Sequence, residues 1–177
     1  MAAGQKSLKE FCMRLFVAIP LSEDMKKTVT GTMHDLKQKG VRGNYVPARN
    51  LHLTLAFLGE TDSPGAVKEA LSALSFRPFR LSFSDMGTFG DLLWVGVKGN
   101  QGLSAAAKAV REALDQAGIG YDRKKFSPHV TIVRRAAGNW KQVPAPKGDM
   151  TVTHLSLMKT TFQDGKPVYS EVCRIGS

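Results

Sequence analysis

His52-Leu53-Thr54-Leu55 and His129-Val130-Thr131-Ile132 are two copies of one pattern: histidine, aliphatic, threonine, aliphatic. They are separated by close to half of a chain of 177 residues. On an extended strand, residues i and i+2 face one side and the residues between them face the other. His52 and Thr54 therefore share a face, as do His129 and Thr131, while Leu53, Leu55, Val130 and Ile132 are directed into packed helices. Each copy follows a basic segment with an aromatic residue and a proline. Arg42 to Arg49 holds Tyr45 and Pro47, and Arg123 to Pro128 holds Phe126. The repetition predicts a duplicated half and a pseudo-two-fold arrangement in which two polar strand faces line one cleft between two lobes.

Around these strands, Arg14 to Ile19 reads as a buried strand stopped by Pro20. Ser22 is placed to cap a helix with Glu23 and Asp24 in its first turn and Met25, Val29, Met33 and Leu36 on its apolar face, ended by Gly40. A second helix starts at Ser63 and Pro64 with Val67, Ala70, Leu71 and Leu74 on one face. A third runs from about Leu103 to Ala117 with Leu103, Ala107, Val110 and Leu114 inward and Gly118 as its stop. Short β-rich segments cover 51–58, 79–83, 92–98, 129–134, 152–158 and 168–174, and Asp164-Gly165-Lys166-Pro167 reads as a hairpin turn between the last two. Helices alternate with strands early, and strand follows strand late, which predicts an α+β architecture with mixed or antiparallel sheets. Trp94 reads as a core residue of its strand.

Twenty-five Lys and Arg against 15 Asp and Glu give a net charge of +10, and 42% of residues are hydrophobic. That composition excludes a disordered chain and favours polyanionic partners. No apolar run approaches the roughly 18 residues of a membrane-spanning helix, and no secretory signal is recognisable at the N-terminus, so no membrane association and a cytoplasmic address are expected. Cys12 and Cys173 are expected to be reduced thiols. Four histidines without ligand spacing imply no metal, and no cofactor is expected. The chain divides into an N-terminal extension at 1–12, with Met13 as an alternative start, and a single bilobal domain at 13–177. No heptad or exposed apolar stripe stands out, so a monomer is expected.

One His-x-Thr on a strand is chemically uninformative, but two in matching contexts suit attack on a phosphodiester. One imidazole removes a proton from the attacking oxygen while the other, protonated, donates to the leaving alkoxide on the far side of phosphorus. A histidine's ordinary pKa near 6.5 allows one ring to be neutral and one charged near neutral pH. Threonine hydroxyls supply hydrogen bonds to non-bridging oxygens as charge builds. Arg134 lies on the Val130/Ile132 face by literal alternation and reaches a phosphate only if the strand twists or bulges. Tyr45, Phe57 and Phe126 are candidates for stacking on a base. His34 and His154 have no matching threonine and read as incidental.

Arg14-Leu-Phe-Val-Ala-Ile-Pro-Leu21, Asn50-Leu-His52-Leu-Thr54-Leu-Ala-Phe-Leu-Gly-Glu60 and Pro128-His129-Val-Thr131-Ile-Val-Arg134 together make the chain resemble the two-histidine (2H) phosphoesterase superfamily, and more narrowly the RNA 2',3'-cyclic phosphodiesterases once called 2'-5' RNA ligases. The resemblance runs from about Met13 to the C-terminus. It implies a bilobal α+β fold with two antiparallel sheets around a central groove and helices outside. It also implies metal-independent hydrolysis of an RNA-terminal 2',3'-cyclic phosphate at the 3' ester to leave a 2'-phosphate, reversible in principle as 2'-5' ligation. His52 then corresponds to the proton donor and His129 to the acceptor, while Thr54, Thr131 and Arg134 correspond to phosphate-binding groups. The sequence departs at Ala56, where the family often has a basic residue, which predicts weaker phosphate binding, and Tyr45 stands in the place of a frequent tryptophan.

Two other readings stay open on the residues. One keeps the chemistry but changes the substrate to 2'-5' linked oligonucleotides or small cyclic nucleotide phosphates. The other is a non-catalytic module that captures RNA ends through Arg42, Arg49, Arg123, Lys124 and Lys125.

Overall fold

Apolar alternation sets the strands and the 3.6-residue period sets the helices in a computed structural model that describes residues 13–176. The expected extension at 1–12 and the thiol of Cys12 lie outside the described residues. Strands β1 (Met13–Pro20), β2 (Arg42–Tyr45), β3 (His52–Thr61), β4 (Phe79–Phe89), β5 (Leu92–Val97), β6 (His129–Ala137), β7 (Asp149–Val152), β8 (Leu155–Gln163) and β9 (Lys166–Ile175) alternate with helices α1 (Glu23–Gln38), α2 (Pro64–Ser72) and α3 (Gln101–Gln116).

The strands form two antiparallel sheets, ordered β3-β1-β8-β9 and β2-β6-β5-β4-β7. Without the edge strand β2 the two orders correspond one to one, β3 with β6 and β1 with β5. The expected pseudo-two-fold is therefore present, but it is not a simple tandem repeat, because β8 and β9 from the C-terminal end complete the sheet that β1 and β3 begin. The segment expected as one strand over 152–158 is broken at Thr153-His154, where the chain leaves one sheet as β7 and enters the other as β8.

Core formation follows the apolar faces. Met25, Val29, Met33 and Leu36 of α1, and Leu103, Ala107, Val110 and Leu114 of α3, are buried against the sheet faces that carry Leu53, Leu55, Val130 and Ile132. Ser22 Oγ accepts from the Met25 amide at 3.2 Å, satisfying one orphan donor of the first turn. Ser63 makes no such bond although Pro64 opens α2 as expected. The third helix starts two residues earlier than its apolar stripe suggests, because Asn100 Oδ1 accepts from the Leu103 amide at 2.8 Å. At the β8–β9 turn, Asp164 and Gly165 take φ of 51° and 75°, the conformation that two-residue hairpins require. Among the described residues no helix is long and apolar enough to cross a membrane.

Candidate active site

Both His-x-Thr strands turn their polar faces into one groove of about 1160 Å³, whose lining includes His52, Thr54, His129 and Thr131. Each imidazole is fixed the same way. His52 Nδ1 lies 2.6 Å from the Asn50 carbonyl and His129 Nδ1 lies 2.6 Å from the Ser127 carbonyl. A carbonyl can only accept, so each ring carries its hydrogen on Nδ1 and leaves Nε2 for proton transfer. His52 Nε2 is 3.0 Å from Thr54 Oγ1.

Aromatic rings hold both imidazoles edgewise. Tyr169 meets His52 at 5.2 Å and 89°, and Phe89 meets His129 at 5.2 Å and 89°. Phe16 lies 4.9 Å from His52. Burial pushes the His52 pKa below the usual histidine value; the hydrogen bond to Asn50 opposes this, and the charges of Arg134 and His129 add to the lowering. In the free groove His52 is thus biased to the neutral form.

Arg134 enters the groove because β6 does not alternate literally. Leu93 pairs with Val133 and Trp94 with Thr131, so Ile132 is skipped, and Ile132 and Val133 are both buried. This bulge returns residue 134 to the face of His129 and Thr131. The same device occurs in the first copy, where Val17 pairs with Ala56 and Ala18 with Thr54, skipping Leu55. Position 57 is therefore the structural counterpart of Arg134. Ala56 is 1% exposed and faces the core, so a basic side chain there would not reach the groove. The expected loss of phosphate contact at Ala56 is corrected accordingly: the position that faces the groove in this lobe is 57, and it holds Phe57.

A second bulge anchors the end of β6. Arg42 pairs with Ala137 and Asn44 with Arg134, and Arg135 takes φ of 52°. Gly43, with φ of 147°, sits against this kink, and a Cβ there would lie 2.6 Å from Val133 Cγ1 and 2.8 Å from the Arg134 carbonyl oxygen. Gly43→Ala is expected to destabilise the protein by about 1–3 kcal/mol in denaturant unfolding. Gly99→Ala, which meets nothing within 4 Å, is expected to change stability by no more than about 0.5 kcal/mol. Equal effects of the two would show that β2 does not brace the bulge.

The other expected residues divide. Tyr45 and Phe57 line the groove and Phe126 does not. Phe126 packs against the core with the Arg111 guanidinium 5.8 Å from its ring, because 126 precedes β6 and its ring turns toward α3. Tyr45 donates its hydroxyl to the Val41 carbonyl at 2.7 Å, and Lys37 Nζ lies 4.6 Å over its ring. Trp94 is not a core residue. Its neighbours Leu93 and Val95 take the core face, and its ring lies on the opposite side, 5.1 Å from Phe89 and 6.2 Å from His129.

Of the basic residues considered for RNA capture, Arg42 lines the groove, while Arg123 pairs with Asp115 at 2.6 Å and Lys124 with Asp122 at 3.9 Å. Arg49 borders a separate shallow depression beside Lys26 and Lys27. The groove instead gathers Arg14, Lys37, Arg42, Arg134 and Lys166, with no Asp or Glu among its lining residues.

Sequence reasoning assigned no role to Asn50 or Tyr169. Asn50 is 3% exposed, holds His52 through its carbonyl and donates from Nδ2 to the Pro167 carbonyl at 3.0 Å, tying the β8–β9 hairpin to the first histidine. Its place two residues before His52, matching Ser127 before His129, was the readable signal. Tyr169 gave none, since β9 is remote in sequence and joins the site only through sheet pairing.

Comparison with known proteins places these features in context. The family described as the 2'-5' RNA ligase superfamily matches residues 26–163. An RNA 2',3'-cyclic phosphodiesterase of Archaeoglobus fulgidus is 31% identical over 175 residues, covering 90% of this chain and 98% of that protein. One of Escherichia coli K12 is 30% identical over 172 residues, covering 91% and 94%. The crystal structure of E. coli LigT complexed with 3'-AMP superposes with a TM-score of 0.81 at 27% identity, covering 92% of this chain and 97% of that one.

Proposed function

The chain belongs to the 2'-5' RNA ligase superfamily, and from that premise we propose that it is an RNA 2',3'-cyclic phosphodiesterase that opens the 3' ester and leaves a 2'-phosphate. The observation that carries this reading is the pair of imidazoles in one cationic groove, each with Nδ1 held by a backbone carbonyl. The names of the relatives above and the 3'-AMP bound by E. coli LigT support a nucleotide substrate.

In the proposed reaction His129 Nε2 takes a proton from water as the water oxygen bonds to phosphorus. His52 Nε2–H gives its proton to O3' as the P–O3' bond breaks. The two protons then exchange with solvent, returning both rings to their starting forms. Thr54, Thr131 and Arg134 bind the non-bridging oxygens, where charge accumulates. Donation by His52 requires protonation of a ring whose pKa burial lowers. An anionic phosphate in the groove supplies the opposing effect, since a nearby negative charge raises a histidine pKa. Tyr45 and Phe57, both in the groove wall, are the stacking candidates that remain.

The reading needs no metal. Incubation of a short RNA ending in a 2',3'-cyclic phosphate with the protein in EDTA is expected to yield the 2'-phosphate alone. A 3'-phosphate product, or turnover that requires added metal, would overturn the mechanism. Unchanged RNA that stays bound would favour the capture module instead.

A further inference from the structure

The groove is larger than one nucleotide needs. Small-ligand sites span roughly 300–1,000 Å³, against about 1160 Å³ here. One part of its wall is made by Arg14 and Phe16 of β1 and by Thr160 and Phe162 of β8. Phe16, which packs on His52, pairs with Met158 on β8. Phe162 lies four residues beyond Met158 on β8, on the same strand face as Thr160, and both line the groove.

Among the described residues, two of the three exposed large hydrophobic side chains stand in this part of the wall, Phe57 at 38% and Phe162 at 58%. The Arg14 guanidinium lies 5.6 Å from the Phe57 ring centroid. Exposed rings beside unopposed cations are what sequence-tolerant stacking of single-stranded nucleic acid requires. The other end of the groove carries the half-buried Tyr45, whose hydroxyl donates to the Val41 carbonyl and whose ring has Lys37 over one face, so the exposed rings are those at Phe57 and Phe162.

We propose that Phe162, with Phe57 and Arg14, forms a subsite for the nucleotide on the 5' side of the terminal one, so that the protein selects an RNA chain over a mononucleotide. This rests on the cyclic phosphodiesterase reading and specifies its substrate. Phe162 closes the hairpin next to Pro167, its cross-strand partner. Because the Pro167 carbonyl is held by Asn50, the stacking ring is tied to the strand end that carries His52.

The test compares kcat/KM on three substrates: adenosine 2',3'-cyclic phosphate, the same compound with a 5'-phosphate, and the dinucleotide ApA ending in a 2',3'-cyclic phosphate. The second carries the added phosphate without a second base. The dinucleotide is expected to exceed the 5'-phosphorylated mononucleotide by about tenfold. In Phe162→Ala that ratio is expected to fall toward one, and Phe162→Tyr is expected to restore it. Thermal midpoints of both variants should match the parent, since the ring is exposed at a hairpin end. A wild-type ratio near one, or a ratio unmoved in Phe162→Ala, would overturn the subsite while leaving the hydrolysis reading intact. Failure to turn over any of the three would overturn that reading and the subsite with it.

Discussion

His52→Ala and His129→Ala are each expected to lower turnover of a 2',3'-cyclic phosphate end by about 10²–10⁴-fold, the usual worth of a positioned acid or base. Both variants should remain folded, because the strands that carry them are held by Leu53, Leu55, Val130 and Ile132 in the core. Thermal unfolding checks this, and the double variant should lose little more than either single one, since the two rings act as a unit. Near-parental rates in either single variant would remove the two-histidine mechanism.

The pH dependence adds a sharper signature. The profile of kcat/KM reports the free protein and that of kcat the bound complex. Burial lowers the His52 pKa in the free groove, whereas a bound phosphate anion raises it. Productive catalysis needs one ring charged and the other neutral, so both profiles should be bell-shaped. The optimum of kcat should lie at higher pH than that of kcat/KM. Coincident optima would mean that substrate does not recharge His52, and that the donor role belongs elsewhere.

These expectations rest on features of which some could be read from the residues alone and some could not. The doubled pattern was enough to place His52, Thr54, His129 and Thr131 on strand faces, because two-residue alternation is a local property. The order of apolar segments is enough for an α+β architecture with mixed or antiparallel sheets, whereas the two antiparallel sheets around one groove are what the family resemblance implies. By contrast, β2 and β7 are edge strands of only four residues, Arg-Gly-Asn-Tyr and Asp-Met-Thr-Val, too short for alternation alone to set them apart. They exist through pairing with β6 and β4, which no local pattern announces. The break at Thr153-His154 and the placing of the half-buried Trp94 on the sheet face away from the core depend likewise on which sheet a strand joins. Phe126, a stacking candidate by its nearness to His129 in sequence, does not line the groove for the same reason: that nearness ends at the turn into β6.

Arg134→Ala is the variant in which geometry and charge are tested together, with an expected loss of about 10²–10³-fold in kcat, the scale of removing one donor that meets developing oxyanion charge. Literal alternation would have turned this arginine to the core side of β6. The bulge at Ile132–Val133 instead sets it on the face of His129 and Thr131. Arg134→Lys keeps the charge but loses the forked donor geometry, so it should recover only part of the loss. The guanidinium also contributes to the lowering of the His52 pKa. Removing it should therefore raise that pKa and move the optimum of kcat/KM to higher pH, whereas Arg134→Lys should leave the optimum near the parental value. Loss of rate without movement of the optimum would mean that Arg134 binds phosphate but stands too far from His52 to govern its charge. A rate close to the parent in Arg134→Ala would mean that the bulge serves the packing of Val133 rather than the reaction.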